Sequence, residues 1–255
     1  ILIEEPESHL SFSRLSELMV AIENAASGKQ IIASTHSSFV ANKLGLENLL
    51  LLSDNNCCSM KDLKEDTFEF FKKVAGYDTL RLIRWKKAIL VEGDSDELVV
   101  QRAYMDNHDG RLPIQDGIDV MTVGGVTFKR YLEIAQILQK ETVVVTDNDG
   151  NIEAVKKKYK DYEGSPYIKI CVDENVDTGD LKLSDKDFNY NTLEPKILKE
   201  NGRKALNDIF ETTYQTDDEM HKYMHSHKTD CAIDIFESSI KIKYPEYIMR
   251  AIKNE

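Results

Sequence analysis

The sequence predicts an α/β protein in which a mostly parallel sheet carries helices on both faces. A shorter α/β unit precedes it and a helical region follows. Three observations predict this. Apolar runs at Ala88 to Val91, Asp119 to Val123, Thr142 to Thr146 and Ile168 to Val172 read as buried strands. Amphipathic segments near Glu97 to Met105, Phe128 to Leu138 and Glu153 to Tyr159 alternate with them, as parallel strands joined by crossover helices require. The chain has 255 residues, 41% of them apolar and 31% charged, which suits one large or two modest domains and excludes a disordered or collagenous chain.

The elements follow in order. Ile1-Leu2-Ile3 is an apolar run that stops at Glu4-Glu5-Pro6, a buried strand ending in carboxylates. A chain opening on Ile1 in mid-strand is expected to continue a longer polypeptide. Phe12, Leu15, Leu18, Met19 and Ile22 recur at helical spacing until Ser27-Gly28 closes the segment. Ile31 to Ala33 is a second buried strand, and the polar turn Ser34-Thr35-His36-Ser37-Ser38 leads into a short helix around Val40 to Leu44. Leu49 to Leu52 and Thr67 to Phe71 read as further strands on either side of a polar loop, and a helix from Tyr77 to Trp85 leads into the main sheet. The expected divisions are residues 1–80, 86–175 and 176–255, the last of them helical and ending in a short helix near Tyr247 to Ile252. No internal repeat or low-complexity segment interrupts this order.

Composition limits the partners. A net charge of −12 makes the chain as a whole repel nucleic acid, so any polynucleotide contact must be local or bridged by metal ions. Cys57, Cys58, Cys171 and Cys231 include no C-x-x-C pair and are too sparse for a disulfide framework, so reduced thiols in a cytoplasm are expected. No apolar stretch is long enough to cross a bilayer, and membrane association is not expected.

The chemistry gathers where strands end. In open parallel sheets, ligands bind outside the carboxyl ends of the strands. The first strand of the main series runs into Glu92-Gly93-Asp94-Ser95-Asp96, the second into Gly124-Gly125 and the third into Asp147-Asn148-Asp149-Gly150. Converging carboxylates raise one another's proton affinity unless a cation sits among them, and an oxygen-only donor set suits Mg²⁺ or Mn²⁺. The plain alternative is that Glu92 and Asp96 cap the next helix and that Asp147 and Asp149 are turn residues. The segment from Asp147 is not an EF-hand, because its glycine falls at loop position 4 and position 12 is Lys158.

Glu92-Gly93 after one strand, Gly124-Gly125 after the next and Asp147-x-Asp149 after the third resemble the TOPRIM domain of topoisomerases, primases and certain nucleases, over roughly residues 86 to 175. The resemblance implies that Glu92, Asp96, Asp147 and Asp149 hold divalent metal beside a phosphodiester. Ile1 to Glu7 resembles the Walker B strand of ABC-type ATPases, Ser8-His9-Leu10 the D-loop, and Ser34-Thr35-His36-Ser37 the switch histidine. That resemblance implies Glu4 beside Mg²⁺, Glu5 as the residue that activates water and His36 as the γ-phosphate sensor. An ABC-type half followed by TOPRIM is similar to the OLD family (overcoming lysogenisation defect) of ATP-dependent endonucleases, some of which act in anti-phage defence. Within that family's pattern, Thr192-Leu193-Glu194 resembles a downstream metal-binding glutamate. Lys228, in Ser226-His227-Lys228-Thr229, resembles a late catalytic lysine.

One departure stands out: the sequence has no G-x-x-x-x-G-K-[ST] and no ABC signature, so ATP binding requires a preceding half or a partner. The resemblance implies a metal-dependent DNA endonuclease or nickase governed by an ATPase. It also implies a homodimer or larger assembly joined through the ATPase part, with a defence partner as a further possibility. The alternatives are a topoisomerase- or primase-type enzyme, or a non-catalytic scaffold or DNA clamp. Weaker signals are His221 and His225 with His227 nearby as zinc ligands, the basic run Lys156-Lys157-Lys158-Tyr159-Lys160, and the cluster of Arg81, Arg84, Lys86 and Lys87. A solvated face is the preferred reading of each, and Cys57-Cys58 are assigned no role.

Overall fold

The computed structural model describes residues 1–53, 56–73, 81, 86–125, 127–184 and 186–253. It divides into two units, residues 1–84 with 133–139, and residues 85–132 with 140–255.

In the first unit, β1 (Leu2–Glu4) pairs in parallel with β2 (Ile32–Ser34), Leu2 opposite Ile32 and Glu4 opposite Ser34. Between them runs α1 (Phe12–Ala25), whose N-cap Ser11 accepts a bond from Arg14 N and whose Leu15, Met19 and Ile22 lie on one buried face. That stripe packs with Val40 of α2 (Ser38–Leu44), itself capped by Ser37. A strand near Leu49 to Leu52 is present as β3 (Leu50–Ser53), but the expected polar loop after it contains β4 (Asn56–Ser59), paired antiparallel.

Thr67 to Phe71 is not a strand. It lies in α3 (Glu65–Lys73), because Glu65 and Asp66 sit in the first turn, Lys72 and Lys73 in the last, and both pairs suit the helix dipole. Thr67 and Phe71, four apart, form its buried face. The expected helix from Tyr77 to Trp85 falls outside the described residues but for Arg81.

The second unit is built on four parallel strands, β5 (Lys87–Val91), β6 (Ile118–Thr122), β7 (Glu141–Val145) and β8 (Ile168–Cys171), in the order β6-β5-β7-β8. The crossover helices are α4 (Asp94–Asn107), α5 (Phe128–Leu138) and α6 (Ile152–Tyr159). The chain steps to one side from β5 to β6 and to the other from β6 to β7. Right-handed crossovers therefore place α4 on one face and α5 and α6 on the other. The packing agrees: Ile89, Val91, Val120, Val143 and Val145 share a core with α4, while the alternate residues Ala88, Leu90, Met121 and Val144 are buried as well. The switch in direction lies between β5 and β7, the place where open α/β sheets bind ligands.

The C-terminal region is less uniformly helical than its periodicity suggests. The segment after β8, rich in Asp, Asn and Gly, includes the hairpin β9 (Lys182–Leu183) and β10 (Lys186–Asp187). Helices then follow as α7 (Leu193–Ile209), broken where Gly202 adopts φ 73°, α8 (Asp217–Ser226), α9 (Lys228–Glu237) and α10 (Glu246–Ile252). α9 and α10 pack on α4, and α10 reaches β7 and β8, so residues distant in sequence close over the strand ends. No helix among the described residues is long and apolar enough to cross a membrane.

Candidate active site

β5 ends at Val91 and delivers Glu92, exposed, into the turn before α4. Asp96 sits in the first turn of α4, where its Oδ2 accepts a bond from Gly93 N at 3.1 Å. The helix-capping alternative is thus partly right for Asp96, which nonetheless also faces other acids. Burial, with Glu194 and Glu92 adding repulsion and Lys228 offsetting it, pushes its carboxyl up to about 6.

Asp147 follows β7. Its Oδ2 accepts from Leu193 N at 3.1 Å and its Oδ1 from the Tyr247 hydroxyl at 3.2 Å. Burial, then Asp96 and Glu194, hold its proton affinity well above the ordinary carboxylate range, with Asp149 contributing less. Asp149 is exposed and left-handed at φ 48°, followed by Gly150 at φ 79°. The residue between the two acids is the anchor. Asn148 is 1% exposed and donates to the carbonyls of Asp173 and Asn175, both at 2.8 Å, while its Oδ1 accepts from Gly150 N at 2.9 Å. That grip fixes the turn and leaves Asp149 free to meet Asn189, whose amide donates to its Oδ1 at 3.3 Å.

Glu194, in the first turn of α7, is 7% exposed and accepts from Thr192 Oγ1 at 3.1 Å and from Lys228 Nζ at 3.2 Å. Lys228 opens α9, and a cation at a helix N-terminus opposes the helix dipole. Its ion pair with a buried carboxylate offsets that cost. The six residues Glu92, Asp96, Asp147, Asp149, Glu194 and Lys228 thus face one region at the switch point. Among the described residues, no group of three or more His, Cys, Asp or Glu is already arranged to hold a metal ion. Burial first, and the neighbouring acids after it, raise the proton affinities of Asp96 and Asp147. The donor set, all oxygen, fits a hard dication in its chemistry.

In the first unit, Glu5 adopts φ 46°, a conformation that costs a non-glycine residue on the order of 1–3 kcal/mol. Its Oε1 lies 3.2 Å from Nε2 of His36, the two ends of β1 and β2 having been brought level by their parallel register. Glu4, exposed, precedes it on β1. Glu7 ties the two loops together: its Oε1 accepts from Thr35 Oγ1 at 2.6 Å and from His36 N at 2.8 Å. Although burial works against it, these bonds hold the Glu7 carboxyl below its ordinary value.

Residues 85–149 match the family model described as "Overcoming lysogenization defect protein-like, TOPRIM domain". The chain carries an OLD-like TOPRIM domain. Residues 1–42 match the model described as "AAA domain, putative AbiEii toxin, Type IV TA system", so the segment before the TOPRIM domain is ATPase-like. Together the two domains mark a nuclease-type protein, and domains of these kinds use divalent metal and nucleotide. Among solved structures, the C-terminal region of the Burkholderia pseudomallei OLD protein is 20% identical, with 66% of this chain and 95% of that chain covered and a TM-score of 0.48. The C-terminal region of the Xanthomonas campestris pv. campestris OLD protein is 19% identical, with 66% and 90% covered and a TM-score of 0.45. No curated protein sequence matches the chain.

The weaker signals resolve differently. His221 and His225 pack their rings on Phe188, with centroids 5.2 and 5.7 Å away, and burial lowers the proton affinity of His221. His227 stacks on Tyr223 at 4.6 Å. These are ring contacts within the second unit, and no third ligand joins them among the described residues. Lys87 is buried and paired with Glu141 at 3.1 Å, while Arg84 lies outside the described residues. Cys57 is exposed and Cys58 buried. Sequence reasoning missed Tyr247, Asn148, Asn189 and Glu7. Tyr247 stands a hundred residues from its partner, with nothing local to announce it.

Proposed function

We propose that this chain cleaves DNA phosphodiesters with Mg²⁺ or Mn²⁺, as the nuclease part of a protein whose ATPase-like part governs it. The observation that supports this most is the convergence of five carboxylates from β5, α4, β7 and α7 at the topological switch point, with Lys228 bound to one of them. Glu92, Asp96, Asp147, Asp149 and Glu194 would hold the metal. A bound dication supplies Lewis-acid polarisation of the phosphate and activation of water.

The chain's own residues do the rest. Tyr247 and the Leu193 amide fix both oxygens of Asp147, so this carboxylate cannot rotate away. Lys228 stands beside Glu194, where its ammonium opposes charge developing on the phosphate. The net negative charge of the chain makes the metal the bridge through which a polyanion binds. Glu4, Glu5 and His36 serve nucleotide hydrolysis, with ATP held only when a phosphate-binding loop is supplied. The ATPase-like part joins two copies or more, in a cytoplasm and in the setting of defence against phage.

The test is plasmid nicking by the full-length protein. Cleavage should require Mg²⁺ or Mn²⁺, stop with chelator and leave free 5′-phosphate ends; a trapped covalent protein–DNA adduct would replace this reading with a topoisomerase. Lys228→Ala should lower the rate by about 10²- to 10³-fold while Mn²⁺ still binds. An unchanged rate would remove the lysine from the mechanism. Tyr247→Phe should cost about 1 kcal/mol of stability and weaken Mn²⁺ binding, since it frees one oxygen of Asp147. Identical Mn²⁺ titrations of variant and wild type would show that the hydroxyl positions nothing.

A further inference from the structure

The basic run 156–160 does not behave as one face. Lys156 is exposed and pairs with Glu153, and Lys157 and Lys160 are exposed too. Lys158 turns inward, its ammonium 5.3 Å from the centre of the Phe128 ring and 5.1 Å from that of Tyr159. Its Nζ donates to the carbonyl of Gly125 at 2.8 Å. Gly125 in turn lies hard against Glu92, so closely that a Cβ at this position would stand 2.6 Å from Glu92 Oε1. Gly124, just before it, holds φ 72° and is open to space, so this glycine serves the turn and Gly125 serves the close approach. Burial lowers the proton affinity of Lys158 and Lys129 lowers it further, while Glu92 and Asp149 raise it.

We propose that Lys158 is a positioning residue for the metal-binding carboxylates, clamping the Gly124–Gly125 turn against Glu92. A charged donor on a backbone carbonyl is a strong hydrogen bond, and here it holds backbone that packs on Glu92. Through Gly125 the lysine limits where the Glu92 carboxylate can rest, and its charge tempers the repulsion between Glu92 and Asp149 before metal arrives. The clamp rests on the nuclease reading for the role of Glu92.

The experiment uses the full-length protein and two independent substitutions. Lys158→Met keeps the apolar stem on Phe128 and Tyr159 but removes the ammonium, and Gly125→Ala pushes directly on Glu92. Mn²⁺ is titrated twice, against the melting temperature of the metal-free protein and against plasmid nicking. Both variants should need about 10- to 100-fold more Mn²⁺ for half-maximal effect in both titrations, as loss of an outer-shell partner does. For Lys158→Met the rate at saturating Mn²⁺ and the KM for DNA should stay near wild type. The double variant should be little worse than the weaker single one, because both break the same contact.

Unshifted Mn²⁺ titrations for Lys158→Met overturn the proposal. So does a raised KM for DNA with a salt dependence shallower by about one charge, which would make Lys158 a phosphate contact instead. If Lys158→Met loses its cooperative melting, Lys158→Arg, which keeps a charged donor, and Gly125→Ala decide between the same outcomes. A wild type that binds Mn²⁺ but never nicks DNA removes the nuclease reading alone, since the melting titration still reports on the clamp.

Discussion

Asp147→Asn should abolish metal-dependent nicking, by at least about 10³-fold, and at the same time raise the melting temperature of the metal-free protein. Both effects come from one charge. Metal binding loses a carboxylate whose two oxygens are already oriented, and catalysis fails with it. The fold loses a carboxylate that burial and the neighbouring Asp96 and Glu194 make costly to ionise. The replacement keeps one bond, an asparagine oxygen accepting from Leu193 N, and reverses the other, its amide donating to the Tyr247 oxygen. Relief of about 1–2 kcal/mol corresponds to roughly 2–8 °C in a unit of this size.

The same logic fixes the pH dependence. Asp96 carries a folded-state pKa raised to about 6 from 3.8, so its contribution to stability is fully present below about 3.8 and is lost as pH rises through about 6. Burial drives the shift, Glu194, Glu92 and Asp147 add to it, and the Gly93 amide and Lys228 oppose it. Metal-free wild type should therefore lose melting temperature between pH 5 and pH 7, and Asp147→Asn should lose less. Mn²⁺ should stabilise the wild type more at pH 7.5 than at pH 5, and the variant little at either. Calorimetric melting across this range checks all three. A variant that melts below the wild type in the absence of metal would show that the acids do not repel one another as the geometry requires.

How much of this was legible in the sequence depends on how far apart the partners lie. The sheet was legible because apolar runs such as Ile89 to Val91 and Val143 to Val145 are continuous, as strands buried on both faces must be. The acids were legible because strand ends and short motifs are local. Thr67 to Phe71 is a helix where a strand is expected, since a threonine followed by three phenylalanines resembles a strand until the acidic first turn and basic last turn of α3 are weighed. Tyr247, Asn148, Asn189 and Lys158 were beyond reach for a different reason. Each acts through hydrogen bonds to another segment, and a single tyrosine, amide or lysine leaves no periodicity behind. Asn148 is the sharpest case: as the middle residue of D-x-D it reads as variable, yet it is the buried anchor that sets the turn.

The last expectation separates the two acidic clusters. Glu5 and His36 belong to the β1–β2 pair of the first unit, whereas Glu92, Asp96, Asp147 and Asp149 belong to the four-stranded sheet of the second. If the first set serves nucleotide hydrolysis and the second DNA hydrolysis, substitutions should divide the activities. Glu5 holds a strained left-handed backbone and points its carboxylate at His36, as a residue aimed for chemistry does. In the full-length protein, Glu5→Gln keeps shape and removes the base, so phosphate release from ATP should fall by about 10²- to 10⁴-fold. Nicking should persist, with its response to ATP altered. Asp149→Ala should reverse the pattern, since Asp149 bonds only Asn189 among the described side chains and its loss leaves the Asn148 anchor in place. Phosphate release and plasmid nicking measured side by side on both variants and wild type give the answer. Loss of both activities in each folded variant would mean that the clusters form one composite site, and the assignment of Glu5 and His36 to a separate reaction would have to be abandoned.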